Sequence, residues 1–108
     1  MTTYLQHSLA ALQRTLPDAE LEITRLPAVE QIQLALINTD FQTGPLPADA
    51  MHRVIANPAY WAFCWGSGLA LARWILSSAE FVANKRIVDV GCGCGVGAIA
   101  AKLAGAAE

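Results

Sequence analysis

Between Arg86 and Leu103 the chain passes from a short β-branched segment, Arg86-Ile87-Val88-Asp89-Val90, through a glycine cluster, Gly91-Cys92-Gly93-Cys94-Gly95-Val96-Gly97, into an alanine-rich helical stretch. That order constrains the fold more than any other feature. A short β-branched run entering a glycine cluster is the pattern of a buried parallel strand. A helix starting at once, over Val96 to Leu103, makes strand, loop and helix the opening of a βαβ unit. Gly105 closes the helix as a C-terminal glycine does, and Ala106 to Glu108 lead toward the next strand. Where side chains are absent the backbone turns tightly, and a ligand can touch the amides at the helix N-terminus. The direct inference is an α/β chain with a small-molecule cradle at the turn.

The upstream sequence supplies further elements. Leu5, Leu9, Leu12 and Leu16 recur at helical spacing until Pro17-Asp18 stops them, which predicts an amphipathic first helix. Leu21 and Ile23, then Ile32, Leu34 and Leu36, alternate with more polar residues about a Pro27 turn, the period-2 signature of a small hairpin. Residues 38–47 gather Thr39-Asp40, Gly44-Pro45 and Pro47 and read as a loop. Pro47 then suits the start of a short helix over Ala48 to Ile55 that ends before Asn57-Pro58. A longer helix is expected over Leu69 to Phe81, with Leu69, Leu71, Ala72, Ile75 and Leu76 on a core and Arg73 facing out.

Composition narrows the classes. The 108 residues are 55% hydrophobic and only 15% charged, against about 25% charged in an average globular domain. Such a chain is expected to expose apolar area that a larger fold would cover. With a net charge of −2 and no basic stripe, nucleic acid is not an expected partner. The longest charge-free apolar run, Ala59 to Ala72, is interrupted by Gly66-Ser67-Gly68 and falls short of the roughly 20 residues that span a bilayer. No membrane partner is expected either. Three cysteines, Cys64, Cys92 and Cys94, make no even-numbered framework, and the N-terminus has no secretory pattern, so a reducing cytoplasm is the expected setting. A bare Cys-x-Cys and the lone His52 lack a ligand set, so no metal site is expected.

Two ligand classes use a glycine loop of this kind. Gly93-Cys94-Gly95-Val96-Gly97-Ala98 satisfies the dinucleotide pattern with alanine at its last position. Asp89 points the other way. A carboxylate two residues before Gly91 can accept bonds from loop amides and attract the ammonium of a bound amino acid, whereas it would repel a pyrophosphate. Placement agrees, since a dinucleotide fold usually opens on this strand and here 85 residues precede Arg86.

From Asp89 to Gly105 the sequence resembles motif I and the following helix of class I S-adenosylmethionine-dependent methyltransferases. The run Pro58-Ala59-Tyr60-Trp61-Ala62-Phe63-Cys64-Trp65-Gly66-Ser67-Gly68-Leu69-Ala70-Leu71-Ala72 resembles the pre-motif of the electron-transfer-flavoprotein β-subunit lysine methyltransferase group, also described as nicotinamide N-methylase-like. The resemblance covers residues 58–107. It implies an α/β, Rossmann-like class I methyltransferase fold, C-terminally truncated, with an N-terminal helical and hairpin extension over residues 1–57 and the start of the cofactor domain over 58–108. The implied cofactor is S-adenosylmethionine, held by Asp89, Gly91, Gly93 and Gly95, with Trp65 and Ser67 at pre-motif positions close to it. The implied reaction is methylation of a protein lysine or a small amine by direct displacement. The ribose-binding acid is expected about 20 residues beyond the glycine loop, past Glu108, and the catalytic residues likewise. Two alternatives stay open: a non-catalytic fragment, and a nicotinamide or flavin oxidoreductase using the same loop.

Overall fold

In the computed structural model, which describes residues 2–41 and 44–108, the Thr2 hydroxyl accepts the Leu5 amide at 3.3 Å and caps the first helix, α1 (Thr3–Thr15). The cap supplies an acceptor to one of the N–H donors that a helix start leaves unpaired. The expected leucine face forms at its C-terminal end: Leu12 and Leu16 are buried with Ala19 and Ala62, Trp61 and Phe63 pack against the same cluster, and Leu5 and Leu9 stay half-buried outside it.

The predicted hairpin is present as an antiparallel pair, β1 (Leu21–Arg25) and β2 (Gln33–Ile37), the one sheet among the described residues. Its register places Leu21 opposite Ile37 and Glu22 opposite Leu36. Leu21 and Ile37 therefore share one face, which packs on the α1 cluster. Leu34 and Leu36 lie on the other face, against a second core. The two alternations of the sequence thus serve different cores, and Ile23 is left 61% exposed. Of the expected 38–47 loop, residues 42 and 43 lie outside the described residues. The next helix, α2 (Ala48–Ala56), follows Pro47 as expected, with Asp49 and Arg53 paired one turn apart and His52 exposed.

The second core joins Leu26, Val29, Ile32 and Leu36 of the hairpin region to α3 (Gly66–Ser77) and α4 (Val96–Leu103). The α3 helix starts three residues before its expected Leu69 and ends four before Phe81. Gly66-Ser67-Gly68 form its first turn, where amides need no intrahelical acceptor. At its end the Ser77 hydroxyl donates to the Trp74 carbonyl, and a separate 3₁₀ turn covers Ala79–Phe81; serine bonding to nearby backbone competes with continued helix. Leu71, expected in the core, is 46% exposed.

The expected buried strand at Arg86–Val90 is not formed. A strand is a paired state, and pairing here stops short. The Asn84 amide donates to the Gly105 carbonyl at 2.9 Å, Ala107 to Lys85 at 2.9 Å, and Ile87 to Glu108 at 2.8 Å. These bonds run the two segments side by side in the same direction, and an Arg86–Glu108 ion pair at 3.1 Å accompanies them. Beyond Ile87 no described segment lies alongside, so Val88 is 86% and Val90 90% exposed. The apolar exposure expected from composition is greatest here and on Tyr4, and continues on Ile55, Ile23, Tyr60, Leu103 and Phe81. No helix among the described residues is long and apolar enough to cross a membrane.

Gly105 makes the return from α4 possible with φ of +103°. An added Cβ would sit 3.7 Å from Ala83, an ordinary contact, so the penalty is in the backbone. Gly105→Ala is expected to destabilise the fold by about 1 kcal/mol, read as a lower melting temperature. Gly66→Ala, with open space around it and no positive φ, is the control and should show no loss.

Candidate functional site

The glycine loop is shaped by three left-handed residues, Gly91, Gly93 and Gly95, with φ of +66°, +55° and +84°. Non-glycine residues rarely hold such angles, which explains the residue choice at alternate positions. The Gly95 amide donates to the Cys92 carbonyl at 2.9 Å, closing a turn, and Gly95 then caps α4. Against this loop lies the N-terminal turn of α3. A Cβ on Gly68 would stand 3.2 Å from a Val96 methyl, so glycine is what lets the two helices approach here.

Between the two helix starts is a cleft of about 210 Å³, lined by Ser67, Gly68, Leu71, Asp89, Gly91 and Gly97 among others. A Cβ on Gly97 would sit 3.3 Å from an Asp89 carboxylate oxygen and 3.5 Å from Leu71. The carboxylate thus stands at the positive end of the α4 dipole. The expected bonds from loop amides to Asp89 are not made: its carboxylate accepts no hydrogen bond among the described residues. Its acceptor capacity stays available to a ligand.

Of the six residues expected at the cofactor site, Ser67, Asp89 and Gly91 line the cleft. Gly93, Gly95 and Trp65 do not line it: a Cβ on Gly93 would be 4.0 Å from the Trp65 ring, and Gly95 forms the helix cap. Trp65 is 52% exposed. It contacts Phe63 at 5.6 Å and Tyr60 at 6.4 Å between ring centroids, while Trp61 and Phe63 serve the α1 core. Sequence reasoning missed Leu71 and Gly68 as cleft residues. Leu71 follows Ser67 by four residues, a spacing that puts both on one helix face.

A larger hollow of about 430 Å³ lies between Ala28 and the α3 residues Leu69, Arg73 and Trp74. It is lined by no acid, and its one hydroxyl, Ser77, already donates to Trp74. The smaller cleft differs from it in being lined by Asp89, whose carboxylate accepts no hydrogen bond among the described residues. Among the described residues no group of three His, Cys, Asp or Glu side chains is arranged to hold a metal ion.

No family model and no solved structure matches the chain. Curated proteins do. The electron transfer flavoprotein beta subunit lysine methyltransferase of Xenopus laevis is 30% identical over 118 aligned residues, covering 95% of this chain and 47% of that protein. The protein of the same name from Danio rerio is 53% identical over 47 residues, 44% of this chain and 18% of its own length. The Homo sapiens protein is 48% identical over 49 residues, 45% of this chain and 19% of its own. The chain spans about half the length of the frog protein. By sequence it is similar to the electron transfer flavoprotein beta subunit lysine methyltransferases over about half of the frog protein and a shorter stretch of the others.

Proposed function

We propose that this chain carries the S-adenosylmethionine site of a class I, Rossmann-like methyltransferase acting on a protein lysine. The observation that supports it best is the unpaired Asp89 carboxylate beside the α4 N-terminus, in a cleft edged by left-handed glycines. An amino-acid zwitterion fits that pair of charges: ammonium toward Asp89, carboxylate toward the amides that begin α4. A dinucleotide pyrophosphate would meet the same acid and be repelled. The cleft's 210 Å³ is below the roughly 300–1,000 Å³ of whole ligand pockets, a size suited to one end of the cofactor. Residues 58–108 form the start of this cofactor domain in our reading, with residues 1–57 an extension whose hairpin packs onto it.

When bound, the cofactor supplies a methyl activated on a sulfonium. The chain's residues have positioning roles. Asp89 anchors the amino group, Gly91, Gly93 and Gly95 let the backbone approach, and Ser67 and Trp65 border the cofactor from α3. Catalysis of direct displacement rests on such positioning and on exclusion of water. The relatives are named for a lysine of the electron transfer flavoprotein beta subunit, and a protein lysine is the acceptor we propose, in a reducing cytoplasm suited to three free thiols.

Titration calorimetry with S-adenosylhomocysteine and with NADH tests the cofactor. Saturable binding of the first alone is expected, and binding of NADH alone overturns the reading. Transfer of labelled methyl to lysine in a protein mixture tests the acceptor.

A further inference from the structure

Phe41 and Leu46 are walls common to three hollows on the face where α1 ends and α2 begins. The first, of about 230 Å³, is apolar. Leu16, Val54 and Phe63 help to line it, and its one hydroxyl, on Thr15, already donates to the Asn57 carbonyl at 3.5 Å. The second, of about 410 Å³, is lined by Asp18 and Asp40 and by no cation among the described residues. The third holds Asp49, whose charge is taken up by Arg53 at 3.3 Å. The acids continue outward from the second hollow. Glu22 accepts the Thr39 amide at 2.9 Å, and the Glu20 amide donates to the Asn38 side chain, which in turn donates to Asp40. Asp18, Glu20, Glu22 and Asp40 all lie on or next to this corner, and none of them joins an ion pair among the described residues.

Charge complementarity decides what this groove takes. A hollow whose only polar group is already bonded gains from burying an apolar side chain. Unpaired carboxylates beside it attract cations and reject other acids. We propose that the groove around Phe41 and Leu46 docks a segment of the protein substrate that carries an apolar side chain flanked by lysine or arginine. The substrate role rests on the function proposed above, while docking of such a segment does not. In an extended segment, side chains two residues apart share a face, so an anchor and a cation reach hollows that share a wall. Position agrees with the substrate role. Phe63 lines the apolar hollow and its ring centroid is 5.6 Å from that of Trp65, the ring beside Gly93 of the glycine loop. A segment anchored in the hollow is thus one aromatic ring from the Trp65 side of the cofactor loop, and a second point of attachment raises the local concentration of its lysine there.

The test measures fluorescence anisotropy of a labelled peptide, one leucine flanked by lysines, against the full chain. Saturable binding is expected, weakening as salt is raised. It should fall about tenfold in Asp18→Lys/Asp40→Lys, and about tenfold when the peptide's leucine is replaced by serine. Both aspartates are exposed, so the double variant should keep its fold by circular dichroism and its affinity for S-adenosylhomocysteine. Equal binding by the variant, by the serine peptide, or by a peptide with glutamates in place of lysines overturns the groove. In methyl transfer to the leucine peptide the variant should raise KM and leave kcat unchanged, and an unchanged KM overturns the substrate role. A dimer of the chain that the peptide dissociates would put a second copy in the groove and likewise overturn that role. If the chain binds the peptide but not S-adenosylhomocysteine, the cofactor reading and the substrate role fall, and the groove stands.

Discussion

Replacing Gly93 by valine is expected to weaken S-adenosylhomocysteine binding by about tenfold to a hundredfold. Gly93 holds φ of +55°, and a β-branched residue held there costs about 1–3 kcal/mol, which at about 1.4 kcal/mol per decade is a loss of this size. Space adds to the strain. A bare Cβ would already stand 4.0 Å from the Trp65 ring, and the two methyl groups of valine extend further toward it. The loop can relieve both only by moving, which displaces the amides next to the cleft. Gly93→Ala retains part of the backbone strain without the branch and should lose less. Calorimetry reads the affinity, and circular dichroism separates a displaced loop from a lost fold. Wild-type affinity for Gly93→Val in a folded protein would remove Gly93 from the site.

How much of this was readable beforehand differs by element. The α4 helix matches its expected Val96 to Leu103 bounds because its limits are local: a left-handed glycine before it and Gly105 after it. The α1 face was equally local, set by leucines at helical spacing and the Pro17 stop. The hairpin was legible as alternation, but alternation does not say which neighbour each face meets. Leu21 and Leu36 therefore went unassigned to their separate cores. Arg86–Val90 failed for a stronger reason. Its composition encodes a strand buried on both faces, and burial depends on segments outside the local sequence. The described residues provide a partner only as far as Ile87. At the site, glycine spacing and Asp89 were visible in the sequence. Leu71 was not, because an apolar residue on a helix reads as core until the fold shows a cleft beside it.

Asp89→Ala is expected to cost about tenfold to a hundredfold in S-adenosylhomocysteine affinity, from the loss of about 1.5–3 kcal/mol of charged hydrogen bonding to the ligand ammonium. Loss of affinity alone would not identify the contact. The carboxylate stands near the start of α4, 3.3 Å from where a Gly97 Cβ would be, and its removal also forfeits about 0.3–1 kcal/mol of helix-dipole stabilisation. Methylthioadenosine, which lacks the amino-acid end, separates the two. If Asp89 holds the ammonium, the variant binds methylthioadenosine as the wild type does and loses affinity only for S-adenosylhomocysteine. If the variant merely loosens α4, both ligands weaken together. NADH provides the opposite sign. Were the loop a pyrophosphate site, removing the acid would relieve repulsion and tighten NADH binding. One substitution measured against three ligands thus distinguishes an ammonium anchor, a structural cap and a dinucleotide loop, three roles that the glycine spacing does not separate.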